Sequence, residues 1–218
     1  GEVMGIDRSV SAINEARIRA KALEYHNVSF LEGDIETVKL NGDYDVVMGR
    51  FILSYLNNPE FTLRKVCSQL KGISYLVFQE WQLDNPPSMK PISECMLKYN
   101  KSILETLCCA GVDMSMGKKL PGMLNELSAC GVYLTDSHEY QGDVNDYALL
   151  EYLAETGRAL LNPMIEFGIL KSKDEFYSLK ESAFTEIKRC HTSLSLNPIV
   201  GVAAKINRHS PLLNYGSN

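Results

Sequence analysis

Two carboxylates stand where an α/β chain holds a ligand. A short apolar run, Val3-Met4-Gly5-Ile6, ends on Asp7, and a helical stretch follows. A second run, Val28-Ser29-Phe30-Leu31, ends on Glu32-Gly33-Asp34, which puts Asp34 27 residues after Asp7. In an open α/β sheet, side chains at the carboxyl ends of parallel strands line the ligand crevice. An ionised carboxylate offers two acceptor oxygens, so one acid suits the paired hydroxyls of a ribose and the other an exocyclic amine. Together they suit a nucleoside. Each also has a purely structural reading. Asp7 can cap the following helix, although Ser9 can do that instead, and Asp34 can be a solvated turn acid after Gly33.

The elements that must position these acids follow from pattern. Val3–Ile6, Val28–Leu31, Tyr44–Met48 and Ser74–Trp81 read as strands, the third entered through an Asn41-Gly42-Asp43 turn. Val10, Ile13, Ala16, Ile18 and Ala20 carry a helix to about Tyr25. Phe51–Leu56 reads as a short helical turn. Pro59–Leu70 reads as a helix with Phe61, Leu63, Val66 and Leu70 inward. Beyond the 84–92 loop, helices are expected over Glu94–Ala110, from about Lys118 to Cys130-Gly131, and over Asp146–Leu161, Met164–Leu170 and Lys173–Cys190. Strands are expected at Val132–Tyr140 and Ile199–Ile206. Strands alternating with helices imply a mainly parallel sheet covered on both faces.

Read in order, these fragments resemble a class I S-adenosylmethionine-dependent methyltransferase of the small-molecule subgroup. The resemblance rests on Gly5-Ile6-Asp7-Arg8-Ser9, Asn27–Asp34, Tyr44-Asp45-Val46-Val47-Met48-Gly49-Arg50 and Leu53–Pro59, with Gly117-Lys118-Lys119-Leu120-Pro121 further on. It implies an α/β, Rossmann-like, mainly parallel sheet whose final pair, Val132–Tyr140 and Ile199–Ile206, is antiparallel. It implies S-adenosylmethionine as cofactor and a small-molecule acceptor. On this reading residues 1–83, 118–142 and 197–208 form the cofactor-binding core, and 84–117 and 143–196 are helical insertions over the substrate side. The resemblance gives Asp7 the ribose, Asp34 the adenine amine, Ile35 the adenine ring, Arg8 a place against adenine or ribose, and Arg50 the methionine end. Tyr55, Glu80 and Trp81 fall on the acceptor side; Tyr55 stands where relatives often carry His. That family also carries a Gly-x-Gly-x-Gly loop on a first strand preceding the Gly-Ile-Asp step, and no such triplet occurs here. An N-terminally truncated piece, with unpaired backbone on its inner strands and impaired cofactor binding, is therefore expected.

Composition narrows the alternatives. Net charge is −5, and Lys118-Lys119 is among the longest basic runs, too little for a strong phosphate-binding surface, so no nucleic-acid partner is expected. No apolar run reaches the roughly 18 residues of a membrane span. Six cysteines and four histidines show no paired metal-ligand spacing, so no metal is expected, and the cysteines suit free thiols in a reducing cytoplasm. His138 and His191 have no companion motif. The oligomeric state and the methylated atom are open. Two rivals stand beside the methyltransferase reading: an NAD-dependent dehydrogenase, since Asp7 suits that ribose equally, and a non-catalytic binding scaffold whose insertions hold a partner.

Overall fold

The structure is a computed structural model describing residues 1–40, 44–85, 87–127 and 132–207, with the backbone alone at 133–136 and 138. The expected Asn41–Asp43 turn, the helix end at Cys130-Gly131 and position 208 lie outside the described residues.

The parallel strands β1 (Val3–Asp7) and β2 (Val28–Glu32) pair so that Asp7 faces Glu32 at their carboxyl ends. Between them runs α1 (Val10–Ala22), opened by Ser9, whose hydroxyl accepts the Ala12 N–H at 3.2 Å. Ile13 is the helix's buried residue. Val10 and Ile18 remain 52% and 66% exposed.

A second sheet follows the order β3-β4-β9-β6, built from β3 (Tyr44–Arg50), β4 (Leu70–Trp81), β9 (Ile199–Asn207) and β6 (Val132–His138). β3 and β4 are parallel, and β9 is antiparallel to both β4 and β6, which gives the expected final antiparallel pair. Among the described residues β1 and β3 each bond one neighbour, so the two sheets are separate ladders.

Two apolar cores organise the chain. The first joins one face of the larger sheet (Leu76, Phe78, Val202, Ala204) to α2 (Pro59–Cys67) and α4 (Met116–Leu127). The second is helical, drawing on α3 (Glu94–Cys109), α5 (Tyr147–Ala159), α6 (Leu161–Glu166) and α7 (Lys173–Cys190).

The structure departs from expectation in three places. Helix α2 ends at Cys67, and Leu70 is the buried first residue of β4. The buried stripe of α2 is Thr62, Leu63, Val66 and Cys67, a three-to-four residue spacing that turns Phe61 outward, 59% exposed. A small antiparallel sheet of β5 (Ser88–Lys90), β7 (Gln141–Gly142) and β8 (Ser193–Ser195) was not expected; strands of two or three residues are too short to show alternation.

Candidate functional site

The carboxyl ends of β1 and β2 form a rim on which the two acids named from sequence lie side by side. Asp7 is exposed at the tip of β1. Its Oδ1 accepts the Ser9 N–H at 2.7 Å, so Asp7 and Ser9 share the capping of α1. Its carbonyl accepts the Gly33 N–H at 3.0 Å, which ties the tip of β1 to the turn carrying Asp34. Asp34 Oδ1 accepts the Glu36 N–H at 2.8 Å, and Oδ2 stands 3.7 Å from an Arg8 guanidinium nitrogen. Arg8 thus bridges the two tips. Oδ2 of Asp7 has no hydrogen bond among the described residues, and the Ile35 N–H likewise has no acceptor there.

The Asp34–Val38 turn is held from outside by residues the sequence reading did not single out. Lys65 of α2 donates through Nζ to the carbonyls of Ile35 (3.2 Å), Glu36 (3.2 Å) and Val38 (2.6 Å). Glu36 accepts the Asn58 N–H at 3.0 Å and the Asn57 amide at 3.0 Å. The Asn58 N–H bond, with those of Asn57 and the nearby Arg8 charge, holds the Glu36 carboxyl below its ordinary range. Sequence spacing does not reveal these links, because they join residues about 20 to 30 positions apart.

At the tips of β3 and β4 the chain makes a tight turn. Phe51 has φ +55°, a left-handed conformation that costs a bulky L-residue about 1–2 kcal/mol. Three contacts retain it. Its N–H continues the ladder to the Gln79 carbonyl at 2.9 Å, its ring stacks on Trp81 (centroids 4.9 Å apart, 14° between planes), and Glu80 secures the residues that follow. Glu80 is fully buried, and its Oε1 accepts the N–H groups of Ile52 (2.9 Å) and Leu53 (2.7 Å) at the head of a 3-10 turn over Leu53–Tyr55. Its Oε2 is buried with no hydrogen bond within geometric limits among the described residues. Burial pushes its carboxyl above the ordinary range, opposed by those backbone bonds and by the neighbouring Ser54. Glu80 was expected to face an acceptor. Its alternation with Phe78 and Leu76 on β4 instead puts it on the core side, beneath the turn.

Arg50 and Trp81 lie on the opposite face from Glu80 and help line a cavity of about 230 Å³, with Phe51, Tyr140, Tyr152 and Ile199. Trp81 meets the Tyr152 ring at 6.3 Å, and the Arg50 guanidinium sits 4.7 Å from the Phe51 ring centre. Tyr55 is 47% exposed, and partial burial first, then the Glu80 charge, raises its phenol. The structure therefore gathers Asp7, Arg8, Asp34 and Ile35 at the tips of β1 and β2. Arg50 and Trp81 gather at the tips of β3 and β4, with Tyr55 on the turn that follows β3. Among the described residues no cluster of three or more His, Cys, Asp or Glu side chains could hold a metal ion, and no helix is long and apolar enough to cross a membrane.

A parallel α/β core with an antiparallel closing pair is the fold of class I S-adenosylmethionine-dependent methyltransferases. The model of a family described as a methyltransferase domain matches residues 1–143, and the chain belongs to that family. Solved structures share the fold. The YcgJ protein of Bacillus subtilis is 14% identical with a TM-score of 0.58, over 94% of this chain and 82% of that one. A Bacillus halodurans C-125 protein, assigned only provisionally as a methyltransferase, is 12% identical with a TM-score of 0.57, over 94% and 83%. The phosphoethanolamine N-methyltransferase 2 of Haemonchus contortus, solved with S-adenosyl-L-methionine, is 12% identical with a TM-score of 0.54, over 94% of this chain and 43% of that one. None of the curated proteins matches the sequence significantly.

Proposed function

We propose that this methyltransferase binds S-adenosylmethionine along the rim from Asp7 to Arg50 and transfers the methyl group to a small-molecule acceptor beside Trp81. The observation that carries the reading is the pairing of Asp7 and Asp34 on adjacent strand tips, joined through Arg8. The groups fit such a ligand. Asp7 keeps one carboxylate oxygen free for a ribose hydroxyl. Asp34 is held by a 3.7 Å ion pair loose enough to give way to an exocyclic amine, and the unbonded Ile35 N–H can donate to a ring nitrogen.

When bound, the cofactor supplies an electrophilic methyl group on a sulfonium. The protein's task is then mainly to position. Asp7, Arg8 and Asp34 fix the nucleoside, and Lys65 and Glu36 keep the Asp34 turn in place. Arg50 marks the methionine end at the tip of β3. Tyr55 and Trp81 border the acceptor, while Glu80 acts through the turn it anchors. The helical segments 84–117 and 143–196 serve as a lid that excludes water. Orientation of this kind can supply about 7–11 kcal/mol of a transfer barrier.

Calorimetry with S-adenosylhomocysteine tests the reading. Asp7→Ala should weaken binding by about tenfold or more, the loss of one charge-assisted bond, with the melting temperature falling by a few degrees at most as the Ser9 N–H loses its acceptor. Unchanged affinity sinks the ribose assignment. Binding of NAD in place of S-adenosylhomocysteine would establish the dinucleotide alternative.

A further inference from the structure

We infer that the cavity between the tips of β3 and β4 and helix α5 takes a flat aromatic acceptor carrying an anionic substituent. The inference deepens the methyltransferase reading and rests on it for the word acceptor; the binding chemistry stands on the cavity alone. Phe51 and Trp81 stack nearly parallel at 14°, with centroids 4.9 Å apart, and present one rigid aromatic wall to the cavity. Tyr152 leans against that wall at 36°, and Tyr140 also lines the space. Aromatic rings pair best in such offset and tilted arrangements, so the lining favours another ring over an alkyl chain. The volume agrees. An apolar cavity of about 150 Å³ accepts benzene, and about 230 Å³ leaves room for one ring and a small substituent.

Charge selects the substituent. Arg50 is exposed at the cavity, and among the described residues no carboxylate lies within ion-pair distance of it. Glu80, the nearby acid, is buried beneath the turn with Oε1 engaged by two backbone N–H groups. The Asp146 carboxylate also lies near the lining, but its oxygens are engaged by the Tyr140 hydroxyl and the Leu149 N–H, which leaves Arg50 as a charge at the cavity without an ion pair among the described residues. A guanidinium resting on an aromatic face keeps its donor edge available for a carboxylate or a phenolate. A cationic acceptor fits poorly. It would need open aromatic faces, yet Arg50 already covers Phe51 and repels a second cation.

Trp81 is the sole tryptophan, so its emission reports occupancy of this cavity directly. Three ring compounds of similar size serve as probes: benzoate, benzyl alcohol and benzyltrimethylammonium. Benzoate should change the emission saturably and bind tightest, the alcohol more weakly and the ammonium weakest. Arg50→Met should weaken benzoate by about tenfold or more, the loss of one charge-assisted interaction. Tyr152→Ala should weaken all three. S-adenosylhomocysteine calorimetry on Tyr152→Ala, a cavity residue outside the proposed cofactor contacts, separates the two readings: retained cofactor affinity with lost benzoate affinity supports the aromatic-acid pocket. Ammonium binding as tight as benzoate, an Arg50→Met protein that binds benzoate normally, or no saturable change with any probe would each overturn it.

Discussion

Removing the Glu80 carboxylate should loosen the Phe51–Tyr55 turn by a calculable amount. In Glu80→Ala the N–H groups of Ile52 and Leu53 lose their acceptor, at about 1–3 kcal/mol each. Two effects oppose this. The substitution ends the burial of a partly desolvated carboxyl, and a freed turn can release the left-handed strain at Phe51, about 1–2 kcal/mol. The net loss is then roughly 2–4 kcal/mol, a fall in melting temperature of about 4–16 °C for a chain of this size. Glu80→Gln keeps an oxygen for both N–H groups and should stay within about 1 kcal/mol of the parent. The pH dependence carries a further signature. The folded-state pKa of Glu80 is raised, so its stabilising share is complete below the unfolded value and is lost as pH rises through the folded value. The parent should therefore lose ground to Glu80→Gln between mildly acidic and neutral pH. Urea titrations followed by Trp81 emission, repeated across that range, measure both effects. A Gln variant as damaged as the Ala variant at every pH would refute the argument.

Lys65→Met should cost about 1.5–3 kcal/mol, since a charged donor to three carbonyls is lost; chemical denaturation gives the stability, and calorimetry should show weaker S-adenosylhomocysteine binding as the Asp34 turn relaxes. Gly157→Ala would put a Cβ into Tyr99 Oη and within 2.7 Å of its Cζ, an overpacking cost of about 1–3 kcal/mol. Tyr99→Phe in the same chain should recover part of that loss, whereas additive losses in the double variant would contradict the clash. Acid should unfold the protein through Glu36 and Glu186. Both are held below the ordinary 4.5, Glu36 chiefly by the Asn58 N–H and Glu186 chiefly by the Ser93 hydroxyl. Their contribution is whole above the unfolded value and disappears as pH falls through the depressed one. A Glu36→Gln/Glu186→Gln protein with undiminished acid sensitivity in a pH-stepped melt would remove them as the cause.

The strand–helix alternation and the two acids were legible because both depend on local pattern. Apolar runs of four to seven residues mark β1 to β3, and an acid closing such a run falls on the rim by geometry alone. The inward set of α2 was harder to read. Phe61 is the larger apolar side chain, yet the stripe through Thr62, Leu63 and Val66 meets the sheet. Glu80 shows a different limit. Its position at the end of β4 was evident, but the side of the pleat it takes depends on register against β3 and β9. The cavity was hidden for a related reason. Trp81 could be named from its place in the chain, but its neighbours Phe51 and Tyr152 lie 30 and 71 residues away in sequence, brought to it by the β3–β4 pairing and by the packing of α5.

The aromatic chamber draws its rings from different parts of the fold, Phe51 and Trp81 from the ends of β3 and β4 and Tyr152 from α5 in the helical half. A shift of that half by one side-chain diameter would change the gap between those rings and leave the β1–β2 tips, with Asp7 and Asp34, undisturbed. The fold thus works as an adjustable caliper. Drift in the interior of α5 to α7 can resize what the jaws admit, generation by generation, while the acidic pair keeps its spacing.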